Sequence, residues 1–261
     1  MIIDAHSHIF PDKIAERAAA GIGEFYGMTV SMSGSLSALL GAGEKAGIAK
    51  HVVHSVATVP EQVESINDYI AECVKENPGK LIGFATIHPD YEDIEKEIER
   101  AVSLGLKGVK IHSDLQRFDI DSERAMPIYR CIEGRLPILA HTGDYRYTYS
   151  KPFRVANVLK AFPKLTLIGA HFGGWSEWDD AVNLLSGFDN LYVDTSSSLY
   201  ALTPEKARRI IDAFGVNRVL FGVDYPMWNP IEEMERFNKI PLSPEERELI
   251  LYKNAERVLD C

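Results

Sequence analysis

Short apolar runs and longer amphipathic stretches take turns along this chain, and their order predicts its architecture. Apolar runs of strand length occupy Met1–His8, Lys50–Ala57, Leu81–Ile87, Gly108–His112, Leu136–His141, Leu165–His171, Leu191–Asp194 and Val219–Asp224. Between them apolar residues recur at helical spacing over Pro11–Phe25, Leu36–Ala46, Pro60–Glu76, Glu92–Leu104, Ser122–Glu133, Phe153–Ala161, Trp175–Leu185 and Pro204–Phe214. Shorter helical stretches at Ile231–Asn238 and Pro244–Leu259 close the chain. Strands that alternate with helices form a parallel sheet, and eight such units fit a (β/α)8 TIM barrel, one domain over residues 1–261, better than an open doubly wound sheet. No Gly-x-Gly-x-x-Gly follows any strand, which weighs against dinucleotide binding. The Gly/Ser/Met-rich loop from Tyr26 to Ser35 is long enough to cover an active site.

Composition narrows the partners. Of the 261 residues 46% are hydrophobic and 25% charged, with a net charge of −10. So acidic a chain makes a poor partner for nucleic acid or an anionic membrane, and any anionic substrate must be met by local positive charge. Cys73, Cys131 and Cys261 lack metal-type spacing and suggest a reducing compartment. No run approaches the roughly 18 apolar residues of a membrane span, and a strand starting near Ile2 leaves no room for a signal peptide. A cytoplasmic location is expected.

Candidate chemistry collects at strand ends. The eight histidines are His6, His8, His51, His54, His88, His112, His141 and His171, and six fall at or just past the C-terminal end of a predicted strand. Barrel active sites are built at that end. Alternate side chains of a strand share a face, so Asp4, His6 and His8 should point the same way, letting two imidazoles grip one metal ion. Pro137, Leu139 and His141 share a face of the fifth strand; Leu165, Leu167, Gly169 and His171 share one of the sixth. Both histidines precede small residues, in His141-Thr142-Gly143 and His171-Phe172-Gly173-Gly174, which leave room for a ligand. The eighth strand ends in Asp224, a carboxylate that needs a cation or hydrogen-bond donor if buried, unless it caps the next helix.

These residues, in this order on these strands, resemble the amidohydrolase superfamily. More narrowly they are similar to the amidohydrolase-related branch that includes aminocarboxymuconate-semialdehyde decarboxylase. The stretches Asp4-Ala5-His6-Ser7-His8, Ala140-His141-Thr142-Gly143, Ala170-His171-Phe172-Gly173-Gly174 and Gly222-Val223-Asp224-Tyr225-Pro226 carry the likeness. The ending, from Leu242-Ser243-Pro244-Glu245-Glu246 to Asn254-Ala255-Glu256-Arg257, extends it over nearly the whole chain. The resemblance implies one divalent metal, zinc first, held by His6, His8, His141 and Asp224, with His171 beside a metal-bound water. Three neutral imidazoles and one carboxylate leave the ion positive, so the pKa of that water falls toward about 7. His171 would then move a proton or meet a developing oxyanion, and Asp224 would accept the water's proton.

On the fourth strand Val109 and Ile111 suit the helix-packed outside, which turns Lys110 and His112 inward. A free ammonium there needs negative charge. A substrate carboxylate or an internal partner such as Asp194 ranks above carboxylation of Lys110 to bridge two metals, as some amidohydrolases do. His112, Arg146 and Asp194 join Lys110 as candidate substrate contacts, with Arg117 and Arg154 near the same loops. Asp4 reads as an acceptor behind the ligands. His88 is a further candidate, His54 a barrel-filling residue and His51 a surface one. Trp175 and Trp178 suit an aromatic substrate wall, helix packing or a subunit contact in a homodimer.

The reading placed first is a metal-dependent hydrolase of a small carboxylate-bearing substrate, a cyclic ester, amide or related bond, acting through metal-bound hydroxide. The alternative is non-oxidative decarboxylation of a small unsaturated or aromatic acid on the same scaffold. A non-catalytic metal-binding barrel ranks third, because a structural zinc site is closed and this one keeps a position open beside His171.

Overall fold

Eight parallel strands follow one another in chain order around a barrel: β1 (Ile3–His8), β2 (Lys50–His54), β3 (Leu81–Thr86), β4 (Gly108–Ile111), β5 (Ile138–Ala140), β6 (Leu167–Gly169), β7 (Leu191–Asp194) and β8 (Val219–Leu220). The end of β8 returns to β1 through backbone hydrogen bonds, Ala5 N–H to Phe221 O and Asp224 N–H to His6 O at 2.8 Å each, and His8 N–H to Tyr225 O at 2.7 Å. This computed structural model describes residues 1–260, so Cys261 lies outside the described residues. Among the helices, α1 (Ala15–Tyr26), α2 (Leu36–Lys45) and α3 (Val63–Glu76) shape the site; a 3-10 turn at Pro60–Gln62 leads into α3. No helix is long and apolar enough to cross a membrane.

Strand alternation divides the core in two. Val53, Val109, Ile111, Ile138, Leu167 and Val193 point outward into the main core under the helices. Val52, Phe84, Leu139, Ile168 and Leu220 pack together as a second cluster in the barrel. Lys110 and His112 therefore face inward, as the pattern of β4 requires, and both are buried.

Two local departures re-aim the chemistry. In β1 the pairing with β2 slips between Asp4 and Ser7: Asp4 pairs with His51, and Ser7 with Val53. Three residues of β1 thus span two of β2, a bulge that breaks the alternation. Asp4 does not share the face of His6 and His8. It lies on the helix side, accepting from His51 Nδ1 at 3.0 Å, Val223 N–H at 2.9 Å, His6 N–H at 3.1 Å and the Ser7 hydroxyl. His51 is accordingly 2% exposed and not a surface residue. It packs where a Cβ on Gly43 of α2 would otherwise stand.

The second departure follows β6. With Ile168 and Ala170 in the inner cluster, strict alternation would turn His171 outward. Instead His171 and Phe172 take left-handed backbone conformations, φ 62° and 53°, and swing the imidazole into the barrel mouth. Such conformations are costly for bulky residues and cluster at functional sites. Asp194 holds the turn: its carboxylate accepts from His171 N–H at 2.9 Å and its carbonyl from Phe172 N–H at 2.7 Å. Asp224 is likewise left-handed, φ 65°. β5, β6 and β8 end before His141, His171 and Asp224, which lie just past the strands.

Other boundaries moved less. His112 caps an unanticipated short helix, Ser113–Gln116, and the C-terminal helix is broken by a π turn at Leu249–Lys253. That turn offers the Ile250 carbonyl to Phe221 N–H at 3.0 Å. The loop after α1 lies across the end of β8, with Met32 N–H on Pro226 O at 3.1 Å and Ser31 N–H on Met227 O at 3.2 Å.

Candidate active site

Three ligand-type atoms converge at the barrel mouth. His6 Nε2 lies 3.4 Å from His8 Nε2 and 3.4 Å from Asp224 Oδ1, which lies 3.6 Å from His8 Nε2. A tetrahedral ion with bonds of about 2.1 Å has ligand–ligand edges of about 3.4 Å, so one divalent cation fits this triangle. His171 stacks on His6 with ring centroids 5.2 Å apart, and its Nε2 lies 3.0 Å from His141 Nδ1.

The surroundings fix which nitrogens offer lone pairs. His6 Nδ1–H donates to Asp194 Oδ2 at 2.9 Å, leaving Nε2 free toward the triangle. His171 Nδ1–H donates to the Ser196 carbonyl at 3.0 Å, so its Nε2 carries a lone pair, which faces His141 Nδ1 at 3.0 Å. His141 Nε2 has Asp114 Oδ2 at 3.5 Å, and that carboxylate accepts from the Ser150 hydroxyl at 2.5 Å. Burial, reinforced by Lys110 and neighbouring imidazoles, holds His6, His8 and His141 well below the ordinary histidine pKa. They are neutral, the form that binds metals. Burial also raises Asp224 to about 6, against the pull of Ser197 and Lys110. A buried carboxylate short of positive charge among neutral imidazoles is a donor set that favours a cation.

The candidate substrate contacts separate. Lys110 is wholly buried, with Nζ 3.1 Å from His6 Nε2. Among the described residues it forms no ion pair, and Asp194 turns to His6, Ser196 and the His171 backbone instead. The expected Lys110–Asp194 pair does not form, and Asp194 orients His6 rather than a substrate. Burial lowers Lys110 to about 8, with Asp224 and Asp194 opposing. His112 lines the mouth, stacked flat on His141 at 3.9 Å. Arg146 is consumed elsewhere. Its donors go to Asp144, at 2.7 Å for the terminal nitrogen, and to the Phe25 carbonyl at 2.5 Å. Its guanidinium lies among Phe25, Tyr26, Tyr147 and Trp175. Arg154 pairs with Asp119 and Asp121.

Tyr26, which the sequence reading passed over, enters the site. Its hydroxyl meets His112 Nε2 at 2.7 Å and His141 Nδ1 at 3.5 Å. An aromatic pair, Phe25-Tyr26, at a helix end before a glycine was the available signal. Asp114, two residues past His112, was another. His54 ends β2 against His8, ring centroids 4.4 Å apart, with both nitrogens unpartnered. His88 accepts from Asp90 N–H at 3.2 Å.

The family profile described as amidohydrolase matches residues 3–261. The chain belongs to the amidohydrolase family. A curated relative of this amidohydrolase-family protein, the 2-amino-3-carboxymuconate-6-semialdehyde decarboxylase of Caenorhabditis elegans, is 24% identical over 70% of this chain. The match covers 62% of that relative, so this chain spans less than two thirds of its length. Among solved structures, an uncharacterised TIM-barrel protein from Bordetella bronchiseptica superposes with a TM-score of 0.82 at 24% identity, covering 99% of this chain and 98% of its own. A 5-carboxyvanillate decarboxylase from Novosphingobium aromaticivorans, complexed with manganese and 4-hydroxy-3-methoxy-5-nitrobenzoic acid, gives 0.78 at 18% identity, covering 100% and 96%.

In this amidohydrolase-family chain the triangle lines a cavity of about 520 Å³. His6, His8, Lys110, His112, His141, His171 and Asp224 form one end of its lining; no arginine contributes among the described residues.

Proposed function

We propose that this protein is a divalent-metal-dependent decarboxylase of a small unsaturated or aromatic carboxylic acid. The reaction replaces a C–CO2⁻ bond by C–H: carbon dioxide leaves, and one proton is delivered to the carbon. One observation carries the reading: a single buried ammonium, Lys110, stands with neutral imidazoles at the base of a largely apolar cavity. A carboxylate is drawn to that cation, and apolar walls favour loss of its charge as neutral carbon dioxide. The decarboxylases among its relatives support the same choice, which reverses the order taken from the sequence, where hydrolysis stood first.

His6, His8, His141 and Asp224 would hold the cation. What it would supply there is positive charge, which orients the substrate's oxygens and stabilises the electron pair left on carbon. Neutral imidazoles suit zinc, whereas the 5-carboxyvanillate decarboxylase carries manganese; the donor set accommodates either. Lys110 Nζ, 3.1 Å from His6 Nε2, would then be the cation that holds the substrate carboxylate. His171 moves the proton at Nε2, which carries the lone pair because Nδ1–H is tied to Ser196. Burial drives its pKa to about 4, so an imidazolium formed there readily passes its proton on.

The test is a screen of aromatic and conjugated acids alongside lactones and cyclic amides, with the protein loaded with manganese or zinc. Carbon dioxide equal to the acid consumed is expected, together with no turnover of the neutral lactones. Lactone hydrolysis without carbon dioxide release from any acid would restore the hydrolase reading.

A further inference from the structure

The cavity does not end at the metal-ligand cluster. It continues between two helices whose facing residues fall at helical spacing: Ile14, Ala18, Gly21 and Ile22 on α1 and its approach, and Gln62 at the start of α3 with Ser65, Ile66 and Tyr69 along it. Beyond Lys110 and Asp224 no charged side chain lines it among the described residues. The polar groups of the outer part are partly spent on one another: Gln62 Oε1 accepts from Thr58 N–H at 2.9 Å and its hydroxyl at 3.1 Å. Gly21 lines the cavity without a side chain, and a Cβ built there meets nothing within 4 Å. At roughly 30 Å³ per water-sized group, about 520 Å³ holds about 17 such groups. A bare single-ring acid, with about nine non-hydrogen atoms, fills about half of that.

We infer that the substrate is a monocarboxylate with an extended apolar substituent, its carboxylate at Lys110 and its apolar part between α1 and α3. This rests on the decarboxylase reading for where the carboxylate goes, and adds what the rest of the molecule must be. A second carboxylate finds no cation in the outer cavity, whereas an alkyl or aryl extension buries surface against Ile14, Ile22, Ile66 and Tyr69.

Binding to the manganese-loaded protein tests this by calorimetry, with benzoate, its 3- and 4-ethyl, butyl and hexyl derivatives, and isophthalate as probes. In the better-fitting series affinity should rise about two- to fourfold per methylene, fourfold being the limit for full burial, and isophthalate should bind no better than benzoate. Gly21→Leu, a favourable change for a helix, should weaken the hexyl derivative at least tenfold and leave benzoate within about twofold. Ala18→Leu provides a second blocking variant. Gly41→Leu on α2, equally unobstructed but off the cavity, should change neither. A flat affinity series, tight isophthalate, no binding of any probe, or equal weakening of benzoate and hexylbenzoate by both blocking variants would overturn the inference. Binding is read without turnover, so a failure to release carbon dioxide and a failure of chain-length dependence remain distinct results.

Discussion

His6→Ala and His141→Ala should each strip the protein of its divalent cation and lower kcat/KM by about 10³-fold or more, whereas His171→Ala should retain the cation and lose turnover. For His6 the difference follows from position, and for His141 from the ligand pattern of the family the chain resembles. His6 Nε2 belongs to the triangle with His8 and Asp224, and Asp194 fixes its tautomer from behind. Without that imidazole the site keeps too few donors for tight binding, and at least about 4 kcal/mol of electrostatic stabilisation goes with the ion. His171 Nε2, 3.0 Å from His141 Nδ1, is assigned the proton transfer, worth about 10²–10⁴-fold. Metal content measured on dialysed protein separates the two classes of variant. Equal metal loss in all three would make His171 a ligand and remove it as the proton carrier.

Lys110→Met should cost about 2–5 kcal/mol in kcat/KM, roughly 30- to 5,000-fold, while making the fold more stable. The ammonium is wholly buried and has no carboxylate partner among the described residues. Desolvation drives its pKa down to about 8, against the pull of Asp224 and Asp194. A buried charge with no carboxylate paired to it destabilises the resting protein, so an apolar side chain of similar length should raise Tm by several degrees. The same charge is what a substrate carboxylate needs. Loss of activity with a gain of stability is the behaviour of a residue kept for function. A KM unaffected by Lys110→Met, or a methyl ester turned over as well as the acid, would show that Lys110 holds no carboxylate.

The parts of this architecture that depend on periodicity were legible in the sequence, and the parts that depend on pairing were not. Alternating runs placed all eight strands, and the alternation of β4 turned Lys110 and His112 inward. The bulge in β1 depends on how it pairs with β2, so Asp4 was misplaced beside His6, and its partner His51 was taken for a surface residue. His171 reached the site for a reason other than strand alternation. Its left-handed turn, with Gly173-Gly174 behind it, is held by Asp194 from the next strand. Asp194 was read as a substrate contact because the tautomer it sets on His6 appears only once β1 and β7 are brought together. Arg146 could have been judged from local sequence alone, since its partner Asp144 is two residues away.

The central claim is that His6, His8, His141 and Asp224 hold one divalent cation on which the chemistry depends. Anomalous diffraction from a crystal grown with manganese tests it most directly. The account predicts a single peak within bonding distance of His6 Nε2, His8 Nε2, His141 Nδ1 and Asp224 Oδ1, and none elsewhere in the barrel. A peak confined to another buried cluster, His112, Asp114 and His141 or His6, His171 and Asp194, a second peak bridged by a carboxylated Lys110, or no peak at the triangle would contradict it.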